Sequence, residues 1–186
     1  MKLLLMGAAC IAAASASAQE ATDSSHTLGI YGGQSILMLG SRDHRVEGGF
    51  SYAAVKREPR ISFGSTHGGI LYDSYFEYSH GVGPQWPADD AEAIGGLVMA
   101  RWSNGSAHSG QGFFTDIGVG LQMADRSSYD LPSELNSTPA ADLGVQLPIS
   151  HRSCQIAVRY LHISNAGTYK PNRGQNEFFL MFSVKV

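Results

Sequence analysis

Apolar and small or polar side chains alternate residue by residue along this chain, and no stretch carries a convincing helical period. In residues 111–121, Phe113, Ile117, Val119 and Leu121 share one face, opposite Phe114, Asp116, Gly118 and Gly120. In 141–149, Leu143, Val145, Leu147 and Ile149 lie opposite Asp142, Gly144 and Gln146. In 70–78, Ile70, Tyr72, Phe76 and Tyr78 lie opposite Asp73 and Glu77. A period of two puts successive side chains on opposite sides of a strand. The chain is therefore all-β.

Alternating segments recur near 27–38, 46–56, 69–79, 92–102, 111–123, 140–149, 153–163 and 176–186, separated by Gly-, Pro-, Ser- and Asp-rich connections. Eight is the smallest common strand number for a closed outer-membrane barrel. A soluble sandwich would bury the apolar faces between its sheets. A membrane barrel turns them to lipid and packs Gly, Asp, Gln and Glu inside. Pattern alone does not separate these two. Three further features favour an eight-stranded antiparallel up-and-down transmembrane β-barrel: an export signal, tyrosine-rich strand ends and a terminal strand that reaches Val186. The mean hydropathy of −0.10 is compatible, because only alternate residues of a barrel strand meet lipid.

The expected export signal is residues 1–18. Lys2 supplies the charge, Leu3 to Ala14 the apolar core, and Ala16-Ser17-Ala18 the cleavage site. Residues 19–186 then form the barrel domain. Only Cys154 remains after cleavage, so no intramolecular disulfide is expected and the thiol reads as packing. A formal net charge of −3, more negative once Lys2 is removed, argues against nucleic acid as a partner. The seven histidines show no metal-ligand spacing, so no metal and no cofactor are expected. With both termini periplasmic, connections 124–139 and 164–175 are long outward loops and 150–152 is a tight inward turn. Connection 57–68 is longer than a periplasmic turn should be, so either a strand extends into it or the boundaries shift.

Chemistry concentrates in the last strand, loop and strand, Arg159 to Val186. Ile156, Val158, Tyr160, His162 and Ser164 share one face going in, and Asn176, Phe178, Leu180, Phe182, Val184 and Val186 share one coming out. An imidazole, a hydroxyl and an amide thus meet at one rim of an apolar, lipid-facing surface. Serine becomes nucleophilic when a base takes its proton, and histidine is the usual base near neutral pH. His162 and Ser164, two apart on an extended segment, have Cα atoms roughly 6–7 Å apart. Asn176 could hold the imidazole in one tautomer. Asn165, Asn172 and the backbone around Gly167 could donate to an oxyanion. The same residues are also ordinary turn chemistry.

His162-Ile-Ser164-Asn165-Ala166-Gly167, followed by Pro171-Asn172-Arg173-Gly174 just before the terminal strand, resembles the signature of the lipid A 3-O-deacylase (acyloxyacyl hydrolase) family. The motif covers about fifteen residues; the signal, length and strand pattern extend the likeness more loosely over the chain. The resemblance implies a bacterial outer-membrane barrel that hydrolyses the ester-linked 3-hydroxyacyl chain at position 3 of lipid A. It implies His162 as general base and Ser164 as nucleophile. Asn165 would be an adjacent residue needed for activity, and Asn172 with the Gly167 amide would help form the oxyanion hole. Lipopolysaccharide and outer-membrane lipids are the implied partners, and a homodimer is left open. Lys170 and Arg173 would meet lipid A phosphates or simply be solvated. Trp86 and Trp102 read as interfacial anchors.

One position departs from the family. Its best-known members carry Glu two residues after the Pro-Asn-x-Gly glycine, where this chain has Asn176, with Glu177 next. Strand parity puts Asn176 on the outward face and Glu177 inside, so Asn176 takes the third position. A bulge near Gly174 would reverse that parity and restore Glu177; the loop acids Asp89, Asp130 and Glu134 are the remaining substitutes. Asparagine orients a histidine without stabilising an imidazolium by a full charge, so slower turnover is expected. The competing readings are a catalytically silent structural or interaction barrel and a soluble periplasmic sandwich.

Overall fold

A computed structural model describes residues 24–39, 41–82, 90–104, 111–170 and 172–186. The expected signal sequence, Trp86, Asp89 and Pro171 lie outside the described residues. Nine strand segments follow one another: β1 (Ser24–Ser35), β2 (Arg45–Arg57), β3 (His67–Gly81), β4 (Asp90–Ser103), β5 (Gly112–Ala124), β6 (Leu135–Ser137), β7 (Ala140–Ile149), β8 (Arg152–Ile163) and β9 (Gln175–Lys185). Each pairs antiparallel with its neighbours, β1 closes on β9, and β4 pairs with β5 to complete the ring.

β6 and β7 are one strand. Leu121 faces Ser137 and Gly118 faces Ala140 in unbroken register on one side. Ser164 faces Ser137 and Leu161 faces Ala140 on the other. The interruption falls at Thr138–Pro139, where proline has no N–H to give to the ladder. Pro139 still accepts from the His162 amide, and the Thr138 amide donates to Gly120. The molecule is therefore a closed eight-stranded antiparallel barrel, the architecture that the alternation, the export signal, the tyrosine-rich strand ends and the terminal strand together favour. The sixth strand is longer than expected, starting at Leu135 rather than residue 140, so loop 5 shrinks to residues 125–134. β3 likewise begins two residues early, and a 3₁₀ turn at Pro59–Ile61 forms part of what remains of the long second connection. Trp102 donates from Nε1 to the Ile61 carbonyl there, 2.8 Å away. The turn between β7 and β8 is tight as expected, with Ser150 at φ 58°.

The apolar faces point outward. Leu143 and Leu180 are 67% and 62% exposed, and Ile30, Val98, Phe113, Ile117, Val119, Leu121 and Val158 join them in the same band. Among the described residues no second sheet covers this band, and the single sheet closes on itself, which removes the sandwich reading. Inside, polar and apolar layers alternate. Arg159 reaches Asp73 at 2.7 Å and Asp142 at 2.8 Å; Arg101 binds Asp116 at 2.6 Å and stacks on Phe114. Packed among them, Tyr31 meets Phe179 edge to face at 5.0 Å, in a cluster with Leu71, Leu97, Met99, Leu161 and Met181. Toward the end opposite the termini, Glu47, Glu77 and Glu177 are buried with Gln122 and Gln175, the two amides donating to Glu77 and Glu47.

Loop 1 (residues 36–44) is tied down by loop 5. Asp130, fully buried, accepts at Oδ2 from Ser41 Oγ and from the backbone amides of Arg42 and Asp43, at 3.0, 2.6 and 2.6 Å. This fixes the path of loop 1 over the mouth and past the outer face of β9. Glu134, by contrast, is exposed in loop 5.

The buried ion layer gives a direct test of what holds the interior together. Arg159→Ala leaves Asp73 and Asp142 without their counter-charge. Breaking a buried pair on one side costs about 3–5 kcal/mol. The urea midpoint for unfolding in detergent should fall accordingly, and a midpoint equal to wild type would show that the layer contributes nothing.

Candidate active site

β8 and β9 place the first pair of groups by register alone. His162 stands directly opposite Asn176 in the ladder, both on the outward face. Side chains facing each other across antiparallel strands have Cβ atoms about 4.5–5.5 Å apart, close enough for imidazole and amide to bond. His162 Nδ1 lies 2.9 Å from Asn176 Oδ1. The ladder runs without a bulge from Cys154–Val184 to Ile163–Gln175. Glu177 therefore stays inside, 1% exposed and paired with Leu161. The alternative in which Glu177 turns outward is excluded by this continuous register.

Asn176 has no exposed surface and uses both ends of its amide. Nδ2 donates to the Met38 carbonyl at 3.0 Å. Oδ1 accepts from the Tyr160 hydroxyl at 2.7 Å as well as facing His162. A carbonyl accepts only, so the end toward Met38 is the NH₂ and the end toward His162 is the oxygen. An amide oxygen also accepts only. Nδ1 of His162 must then carry the proton, and Nε2 is left with a free lone pair.

Gly174 lies against the other edge of the imidazole. A Cβ there would sit 2.7 Å from His162 Cε1 and 3.1 Å from Nε2, and its φ is +67°. Glycine alone meets both demands without strain.

Ser164 follows on the outward face two residues after His162. Its backbone pairs with Ser137 through two hydrogen bonds, of 2.7 and 3.0 Å. Ser137 Oγ also donates to the Ser164 carbonyl at 2.9 Å and sits 3.3 Å from Ser164 Oγ. Among the described residues the Ser164 hydroxyl contacts Ser137 and is not hydrogen-bonded to the imidazole.

Loop 7 (residues 164–174) is built by Asn165. Its Oδ1 accepts from the Gly167 amide at 2.9 Å and its Nδ2 donates to the Tyr169 carbonyl at 3.1 Å. Its own carbonyl takes the Thr168 amide and hydroxyl. Ala166 and Gly167 both have positive φ, 52° and 82°, the conformation of a primed turn. Of the three expected oxyanion donors, Asn165 and the Gly167 amide are thus engaged within the loop, and Asn172 is exposed. Arg173 stacks on Tyr129 of loop 5 at 4.5 Å.

Three groups at the site were not assigned from sequence. Tyr160 was legible as a same-face neighbour two residues before His162. Ser137 follows from extending the β7–β8 register outward past Pro139. The Met38 carbonyl carries no sequence signal, because it is backbone in a loop.

The family model described as lipid A 3-O-deacylase (PagL) matches residues 46–185. The crystal structure of the outer membrane enzyme PagL superposes with a TM-score of 0.65 at 18% identity, covering 84% of this chain and 97% of that one. Neisserial surface protein A superposes with a TM-score of 0.50 at 14% identity, covering 88% and 96%. At these identities the structural likenesses speak for the barrel fold alone. No curated protein sequence matches.

The contact between Gly174 and the imidazole can be tested without a substrate. Gly174→Ala forces a left-handed alanine, at about 1–2 kcal/mol, and pushes its methyl into the ring. The expected outcome is a lower urea midpoint together with a shifted His162 Cε1–H resonance. An unshifted resonance in a folded variant would show that the ring does not rest on residue 174.

Proposed function

The chain belongs to the lipid A 3-O-deacylase family of outer-membrane ester hydrolases, and we propose that His162 and Ser164 carry out its reaction at the 3-position ester. The observation that carries this reading is the His162–Asn176 hydrogen bond on the lipid-facing side of the barrel. It leaves Nε2 as a base beside a serine on the same face. With the termini in the periplasm, this end of the barrel opens at the outer leaflet, where lipid A resides.

The mechanism follows from the groups present. Rotation of Ser164 about χ1 moves its hydroxyl from Ser137 toward Nε2. Such nucleophile–base bonds are commonly long before substrate binds. Nε2 takes the hydroxyl proton as Oγ attacks the ester carbonyl carbon. The tetrahedral oxyanion is met by the exposed Asn172 amide, with the Gly167 N–H available if it is shared with Asn165 Oδ1. Collapse of the intermediate breaks the bond to the sugar oxygen, which leaves with the proton from His162. The acyl-Ser164 ester remains. Water, deprotonated by the same imidazole, then releases the 3-hydroxy fatty acid and restores the serine.

Asn176 holds the tautomer but brings no charge to the imidazolium, so turnover should be slow for the family. Lys170 and Arg173 extend the site toward anionic groups of the substrate head.

Purified, detergent-refolded protein incubated with lipid A and followed by mass spectrometry tests the proposal. Wild type should release one ester-linked 3-hydroxyacyl group, and Ser164→Ala should lower the rate at least about a thousandfold. Equal release by both proteins would remove Ser164 as nucleophile. No release from folded wild type would favour the silent barrel.

A further inference from the structure

We propose that Met38 and Tyr160 make an amide the working third member of this site, so that a carboxylate in its place impairs the enzyme rather than improving it. The inference rests on the serine-esterase reading above and concerns how the base is held.

An asparagine next to a catalytic histidine has an inherent weakness. Its amide has two ends of nearly equal size, and if NH₂ faces the ring, Nδ1 must accept. The proton is then on Nε2, where it blocks the base. Substituting Asn for the acid of a serine-protease triad costs about 10⁴ in kcat for this reason. Here the ambiguity is removed from both ends. The Met38 carbonyl demands a donor and receives Nδ2 at 3.0 Å. The Tyr160 hydroxyl donates to Oδ1 at 2.7 Å. A flipped amide would set carbonyl against carbonyl at Met38, in a place with no exposed surface.

The same contacts are hostile to a carboxylate. An aspartate at position 176 has no hydrogen for Met38, and its second oxygen would face the carbonyl oxygen across the distance that Nδ2 now bridges. Burial leaves no water to separate them. The carboxylate would move away from Met38 and carry the imidazole with it. Met38 itself cannot easily yield. Loop 1 is held by three hydrogen bonds to Asp130, and the neighbouring Ile36 amide donates to the Asn176 carbonyl at 2.7 Å. Tyr160 and the Met38 backbone are therefore positioning groups. Neither touches the reacting atoms.

Steady-state deacylation by wild type, Asn176→Asp, Asn176→Glu and Tyr160→Phe provides the test. Folding of each is checked by the mobility shift of the unheated barrel on gels. Both acidic variants should lose at least tenfold in kcat with KM within twofold, and Tyr160→Phe should lose severalfold in kcat alone. An acidic variant that matches or exceeds wild type would overturn the inference while leaving the esterase reading intact. A wild type without activity would overturn both. The ¹⁵N spectrum of His162 supplies a readout that does not depend on the variants folding. A neutral ring protonated on Nδ1 is expected, and a ring protonated on Nε2 would refute the arrangement.

Discussion

Backbone hydrogen bonding in hydrocarbon is the constraint on which this structure depends. No water reaches the bilayer core, so each strand N–H and C=O needs a partner in the protein. A sheet meets that demand only by closing on itself. Here β1 completes the ring by pairing with β9, and β4 by pairing with β5. Closure then commits every side chain to one of two sides. Leu143, Ile117, Val98 and Phe113 go to lipid, while Arg159, Asp142, Glu177 and Gln122 go to the interior. Buried charges are tolerable there because they find each other, as Arg159 finds Asp73 and Asp142.

Closure also decides where chemistry can occur. The interior is filled by ion pairs and aromatic rings, so it is no path for a lipid. A residue that acts on a membrane lipid must stand on the outer wall, close to the rim where headgroups lie. His162, Ser164 and Asn176 occupy that position because each has outward parity. A one-residue shift of β9 would exchange Asn176 for Glu177 and dismantle the site, since a slip of one reverses every side chain of a strand. The extended ladder between β8 and β9 is thus the protection of the proposed catalytic geometry as well as of the fold.

Loops refine what the strands place. Asn165 spends its side chain and carbonyl on the turn that follows Ser164. That accounts for an asparagine beside the serine without any contact to substrate. Asp130 anchors loop 1, and loop 1 presents Met38 to the buried amide of Asn176. The tautomer of His162 is the product of this chain of contacts from loop 5 to loop 1 to β9. Polar groups far apart in sequence meet there because the outer mouth of a narrow barrel leaves them little room to separate.

Much of this was legible without coordinates. Period-two alternation gave eight strands, their faces and the outward parity of His162, Ser164 and Asn176, because a side chain's face is set by counting along its own strand. The His-x-Ser-Asn-Ala-Gly and Pro-Asn-x-Gly segments point to lipid A deacylation by their resemblance alone. Strand ends were less legible. Residues 135–139 read as loop because Pro139 interrupts the pattern, yet they continue a strand whose hydrogen bonds come from its neighbours. Contacts made by the loops were not legible at all: Asp130 to loop 1, and Met38 to Asn176. Alternation is a local property, and the chain states it locally. Which end of an amide faces a histidine depends on a backbone carbonyl 138 positions away in sequence, and only the closed barrel brings the two together.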